Sequence, residues 1–267
     1  MKIHLESIFH YLAWIRNGTR FSFAGFSDAE WYCILGQRAG EQTGLGQTLS
    51  PQHGLRLLDV LKRRSKPQVG RRWLFAVPRC LWPHEGEEGA FRPGLPGFAE
   101  GQIDWFLGKH GIQIDGYERD MVTDDLAREG EMYPFLRHLQ DMQTCLIGNE
   151  ALEPVVPLLK YHGFVGIESP NLHLRAGGIE RAVERAFTWG KTRGPNQFYL
   201  VCAGVSAAVI IDRLTDKLPS AWFWDAGSTL DAFVGIGGQR EWRRQLYADP
   251  VKWERWKKDN KDGKHTP

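Results

Sequence analysis

The feature that most constrains this chain is a repeated alternation. Short apolar runs end in Gly, Pro, Ser or Asp and lead into stretches of helical periodicity. The runs are "FSFAGF" (21–26), "RWLFAVP" (72–78), "TCLIGN" (144–149), "GFVGIES" (163–169), "FYLVCAG" (198–204) and "SAWFWDAG" (220–227). They are rich in β-branched and aromatic residues and do not alternate apolar with polar, the pattern of strands covered on both faces. Helices are predicted over 28–36, 53–64, 151–162, 177–189 and 206–217. In 177–189 the spacing puts Ile179, Val183, Ala186 and Phe187 on one face. Strand and helix in alternation predict an α/β fold: a single Rossmann-like, mainly parallel sheet with helices on both faces. Residues 1–250 read as one domain and 251–267 as a basic C-terminal tail. Segment 79–101 interrupts the rhythm with Pro83, Pro93, Pro96 and five glycines. It reads either as a lid or binding loop or as a surface insertion.

Composition removes several classes of function. A hydrophobic content of 42% over 267 residues supports one large core, and a net charge of +2 is too small to imply nucleic acid or an anionic membrane by itself. Cys33, Cys80, Cys145 and Cys202 are far apart and form no CxxC pair, so buried reduced thiols are expected rather than a zinc site or a disulfide framework. No run approaches the ~18 apolar residues that cross a bilayer, and "MKIHLESIFHYLAWIRNG" is a poor signal peptide because Glu6, His4 and His10 interrupt it. The expected location is the cytoplasm. The last segment, "WERWKKDNKDGKHTP", is polar and basic, and reads as a helix end followed by a solvated tail.

In open parallel sheets, ligands bind outside the carboxyl ends of the strands. Here those ends carry Ser27, Asp28 and Glu30; Pro78 and Arg79; Asn149 and Glu150; Ser169 and Pro170; Gly204 and Ser206; Asp225 and Gly227. Three of the six ends bear a carboxylate, a rim suited to a divalent cation carrying a phosphorylated ligand.

Ser27-Asp28-Ala29-Glu30 supports two readings. S-x-x-E before "WYCILG" is a capping box, with Asp28 favourably placed at the positive end of the helix. D-x-E is equally a pair of hard oxygen ligands with room left for phosphate oxygens. The turn Ala203-Gly204 before a helix near Ser206 could offer backbone N–H groups to an anion, or Gly204 could serve close packing. Arg79 could clamp a phosphate or neutralise acids. The chain has neither G-x-G-x-x-G nor a P-loop, Ser206 is not in G-x-S-x-G, and His84-Glu85 is not H-E-x-x-H. Trp253 and Trp256 are three apart, which favours packing on one helix face over base stacking.

Three spaced segments resemble the GT-D fold glycosyltransferases. "FAGFSDAEWYCILG" is similar to that family's R-F-G-D-G-E-F/W segment. "CAGVSAAVIIDRL" resembles its G-P-T-A-T-V-L-A-x-D-L segment, with Gly204, Ser206, Ala207, Val209 and Asp212 in register. "WDAGSTLDAF" resembles D-x-G-H-x-D, with Asp225 and Gly227 in register. The resemblance runs from about Thr19 to Phe233. It implies transfer of a sugar from a nucleoside diphosphate sugar to an acceptor hydroxyl, with Mn²⁺ (or Mg²⁺) held by Asp28 and Glu30. The strand ends supply the donor-site candidates Arg79, Ser169, Gly204, Ser206 and Gly227, and Asp225 and Asp231 are candidates for the general base. The chain departs from the pattern at Gly25, Ser27, Ala29 and Ser228; Leu230 takes the place of the last acid, with Asp231 one residue on. The alternatives are a non-catalytic nucleotide- or nucleic-acid-binding module, or a glycosyltransferase that acts on a modified base in DNA held by the tail.

Overall fold

The computed structural model describes residues 8–43, 46–66, 68–77, 102–112, 114, 117–119, 132–238 and 241–262. Among these residues, seven strands form one sheet: β1 Arg20–Gly25, β2 Arg71–Val77, β3 Tyr117–Arg119, β4 Gln143–Asn149, β5 Gly163–Ile167, β6 Gln197–Cys202 and β7 Trp222–Asp225. Their order is β3-β2-β1-β7-β6-β4-β5, and every pairing is parallel. The expected α/β architecture is therefore the one observed.

The helices are α1 Ile8–Arg16, α2 Asp28–Leu35, α3 Pro51–Arg64, α4 Gln102–Lys109, α5 Met132–His138, α6 Val155–Leu158, α7 Gly178–Gly190, α8 Ala207–Lys217, α9 Asp231–Val234, α10 Glu241–Tyr247 and α11 Pro250–Asp262. They cover both faces. One core contains Phe26, Trp31, Leu57, Ile103, Val183, Ile210 and Phe223, drawn from β1's end, α2, α3, α4, α7, α8 and β7. The other holds Tyr11, Phe21, Phe23, Phe135, Trp222, Trp224 and Phe233. Phe223 thus faces one layer while Trp222 and Trp224 face the other. Strand side chains do alternate; the sequence hides it because both destinations are apolar.

Differences from the sequence reading have local causes. The helix predicted over 151–162 is a 3₁₀ turn at Glu150–Leu152 followed by the short α6. Pro154 and Pro157 lie within that stretch and cannot donate the backbone bonds that a continuous helix needs. β5 stops at Ile167, ahead of a cis Ser169–Pro170 peptide. α1, α4, α5 and β3 had no counterpart in the sequence reading. α1 buries Tyr11, Leu12 and Ile15 against the second core, which explains the apolar spacing inside the N-terminal segment. Cys33, Cys145 and Cys202 are buried free thiols, while Cys80 and the 79–101 segment lie outside the described residues. Among the described residues, no helix is long and apolar enough to cross a membrane.

Candidate active site

The sheet order sets the site. β1 and β7 are neighbours, so the turn after Gly25 and the strand-end Asp225 meet at the middle of the carboxyl rim. Asp225 Oδ2 accepts the Gly25 N–H at 3.0 Å, and Oδ1 accepts the Gly227 N–H at 3.0 Å. A Cβ on residue 25 would lie 2.8 Å from Asp225 Oδ2, so glycine is what permits this approach.

α2 begins directly after this turn, with Ser27 as its N-cap. The backbone N–H and the hydroxyl of Ser27 both donate to Glu30 Oε2, at 3.0 and 2.7 Å. The cap contact expected from S-x-x-E is therefore present. It does not account for the burial of the carboxylate, which is only 6% exposed. Burial pushes Glu30 up to about 8, and repulsion from Asp225 and Asp28 adds to this against the Ser27 hydrogen bond. Burial likewise pushes Asp225 up to about 6, opposed by the bonds from Gly227 and Gly25. Among the described residues, none of the groups acting on either carboxylate is a cation. Asp28 is half-buried beside them. Two buried carboxylates that repel each other without a counter-charge are the electrostatic signature of a functional site rather than of a stabilising pair.

These residues fit a hard divalent ion in chemistry, since all are oxygen donors. Among the described residues, however, no three His, Cys, Asp or Glu side chains converge closely enough to cage a metal. The described residues offer at most a pair, and the remaining positions would fall to water and to oxygen atoms of a bound ligand, as is usual for Mg²⁺ with phosphates.

The other sequence candidates divide. Gly227 joins the cluster through its bond to Asp225. Asp231 opens α9 and is 3.4 Å from the guanidinium of Arg243. Gly204 and Ser206 lie at the end of β6, one strand beyond β7. Ser169 follows β5 at the sheet edge, and its carbonyl accepts from Asn149 Nδ2. β6 and β4 stand between it and the acidic cluster. Arg79 lies outside the described residues. Asp212 is claimed by structure, because its carboxylate pairs with Arg63 and Arg64. A depression between α3 and α8, lined by Leu55, Val60, Val209 and Arg213 among others, contains none of the candidate residues except the neighbouring Asp212.

Sequence reasoning missed a second polar group at the end of β6. Gln47, 8% exposed, lies so close to Gly204 that any Cβ there would collide with its amide. Gly204 has φ +52°, a second reason for glycine. His53 Nε2 lies 2.7 Å from the Val205 carbonyl, and the His173 ring lies tilted against it at 4.7 Å with its Nε2 2.8 Å from the Thr48 carbonyl. Burial lowers His53 to about 4, with His173 and Arg56 adding to this against the Val205 bond. Asn171 ties the same segment down, accepting from Thr48 N–H and donating to the Gly46 carbonyl. Ser50 as N-cap with Pro51 at the first helical position is a start signal that the helix predicted over 53–64 did not use.

The tryptophans of α11 are committed to packing. Trp253 Nε1 donates to the Ala232 carbonyl and its ring lies against Gly235, while Trp256 packs on Tyr133, Phe233 and Trp242. Their rings are not free to stack on bases.

No family model matches the chain, and no curated protein matches it in sequence. Its fold, however, has solved neighbours. A structure of domain of unknown function 1792, described as having a distinct glycosyltransferase fold, superposes with a TM-score of 0.53 at 15% identity, covering 93% of this chain and 82% of the neighbour. A selenomethionine-substituted structure of the same domain gives 0.52 at 14% identity with the same coverage. The likeness is one of fold: this chain has a glycosyltransferase-like α/β architecture.

Proposed function

We propose that this protein transfers a sugar from a nucleoside diphosphate sugar to an acceptor hydroxyl, using a divalent ion held at Asp28 and Glu30. The observation that carries the reading is the cluster of buried Glu30 and Asp225 with half-buried Asp28, in which Glu30 is repelled by both aspartates, no cation among the described residues acts on Glu30 or Asp225, and the three sit at the central strand ends of a glycosyltransferase-like sheet. When bound, the ion would neutralise the departing diphosphate. Asp28 and Glu30 would hold it, and burial of Glu30 would strengthen that attraction. Asp225, oriented by the Gly25 and Gly227 N–H groups, is placed to position the sugar or to take the acceptor's proton. Asp231 is the second base candidate. Gly204 and Ser206, one strand away, lie where a donor's nucleotide would extend along the rim.

The test is calorimetric titration of Mn²⁺ with uridine diphosphate, followed by a panel of nucleotide sugars assayed for hydrolysis. The expected result is metal-dependent binding that Asp28→Asn and Glu30→Gln each weaken at least tenfold, with slow hydrolysis of one donor. Equal binding in wild type and Asp28→Asn, with no donor hydrolysed, would sink the reading.

A further inference from the structure

Among the described residues, a buried cation lies close to the acidic site, held by groups that follow Asp225 rather than by its carboxylate, and it comes from outside the segments that suggested the function. Arg243 lies on α10 and is fully buried, at 0% exposure. Its Nη2 donates to Ser228 Oγ at 3.0 Å, and its Nη1 is 3.4 Å from Asp231 Oδ2. Ser228 belongs to the turn that follows Asp225, the turn whose Gly227 N–H holds Asp225 Oδ1, and Asp231 opens α9 directly after it. The backbone is shaped around this contact. Gly237 has φ +72°, and a Cβ there would lie 2.5 Å from Arg243 Nη1 and 2.6 Å from Asp231 Oδ2. Tyr247, on the same helix, braces the far side, its hydroxyl donating to the Ile236 carbonyl at 2.6 Å. The Cys202 thiol at the end of β6 feels Asp231, Asp225 and Arg243 together, which places all three around one strand end.

We propose that Arg243 is a positioning residue for the candidate site: by forking between Ser228 and Asp231 it fixes the 226–231 turn, and through Gly227 it sets the orientation of Asp225. A buried guanidinium is suited to this because its planar fork engages two partners at fixed geometry, which an ammonium cannot. A misplacement of about 1 Å at a reacting group can cost on the order of 100-fold in rate, so a residue that touches no substrate can still govern turnover. The proposal names a role within the glycosyl-transfer reading above. Its structural half, the turn held by Arg243, stands or falls without that reading.

The experiment therefore has two readouts on Arg243→Ala and Arg243→Lys. The first needs no substrate: the backbone amide signals of Gly25 and Gly227, the two groups bonded to Asp225. Both signals should shift in Arg243→Ala and return toward wild type when millimolar guanidinium is added, whereas urea, of similar shape and uncharged, restores nothing. Arg243→Lys, which retains charge and most of the volume, should stay shifted. The second readout is donor hydrolysis, in which kcat should fall roughly 100-fold with KM little changed and recover in part with guanidinium. Unmoved amide signals in a folded Arg243→Ala or Arg243→Lys protein overturn the proposal. So does a full return of the signals with urea, which would make Arg243 a space filler. Should wild type hydrolyse no donor, the glycosyl-transfer reading fails while the amide signals still decide the role of Arg243.

Discussion

Glu30 concentrates the conflict between folding and function in a single side chain. It caps α2 through Ser27 and is also buried among like charges. Raised to about 8 in the folded state from an ordinary value near 4.5, it keeps a proton that the unfolded chain has lost. Its burial therefore destabilises the fold increasingly as pH rises from about 5 to 8. Glu30→Gln keeps an oxygen for the cap and removes the charge. The metal-free variant should melt above wild type by about 2–4 °C for each kcal/mol relieved, with a gap that widens from pH 5 to 8. Calorimetric melting across that range checks this, and the same variant should lose affinity for the Mn²⁺–diphosphate pair. A variant that is less stable at every pH would show the capping role to be dominant. Of the sequence candidates, Asp28, Glu30 and Asp225 were legible because D-x-E and a strand-terminal aspartate are local patterns. That Gly25 donates to Asp225 was not, because the two residues are 200 positions apart.

At the scale of elements, the end of β6 shows what periodicity cannot report. The strand and the helix start near Ser206 were readable, yet the segment 46–50, the start of α3 and the 171–174 turn all converge there through long-range bonds. His53 and His173 are both titrating groups of that junction, each lowered chiefly by burial. Burial holds His53 neutral, at about 4 when folded against an ordinary value near 6.5. Its contribution to stability is thus fully present above about pH 6.5 and is lost as pH falls toward 4. Wild type should lose about 2 kcal/mol through this group over that interval, and His53→Gln should flatten that part of the acid limb in urea unfolding measured at successive pH values. An unchanged acid limb would assign the titration elsewhere. The helix misread at 151–162 has the opposite lesson. Pro154 and Pro157 were visible, and their veto on helix continuation outweighs the apolar spacing around them.

Across the whole molecule, the C-terminal helix is part of the fold rather than an appendage. α11 places Trp256 against Tyr133 and Phe233, joining the second core. Trp256→Ala should lower the melting temperature by roughly 4–8 °C, the loss of about 2 kcal/mol expected when a half-buried aromatic is truncated. A variant that instead weakens nucleic-acid binding at unchanged stability would restore the tail to a role in recognition. What the sequence by itself determined was the class of architecture and the identity of the acidic residues at the strand ends. Apolar runs covered on both faces admit a parallel sheet, and local motifs carry their own spacing. What only the tertiary structure decided was which ends are neighbours. The order β3-β2-β1-β7-β6-β4-β5 sets Asp225 beside the β1 turn and moves Ser169 to the far edge. Strand order depends on packing of whole layers, an energy summed over contacts between residues distant in sequence, and no window along the chain contains it.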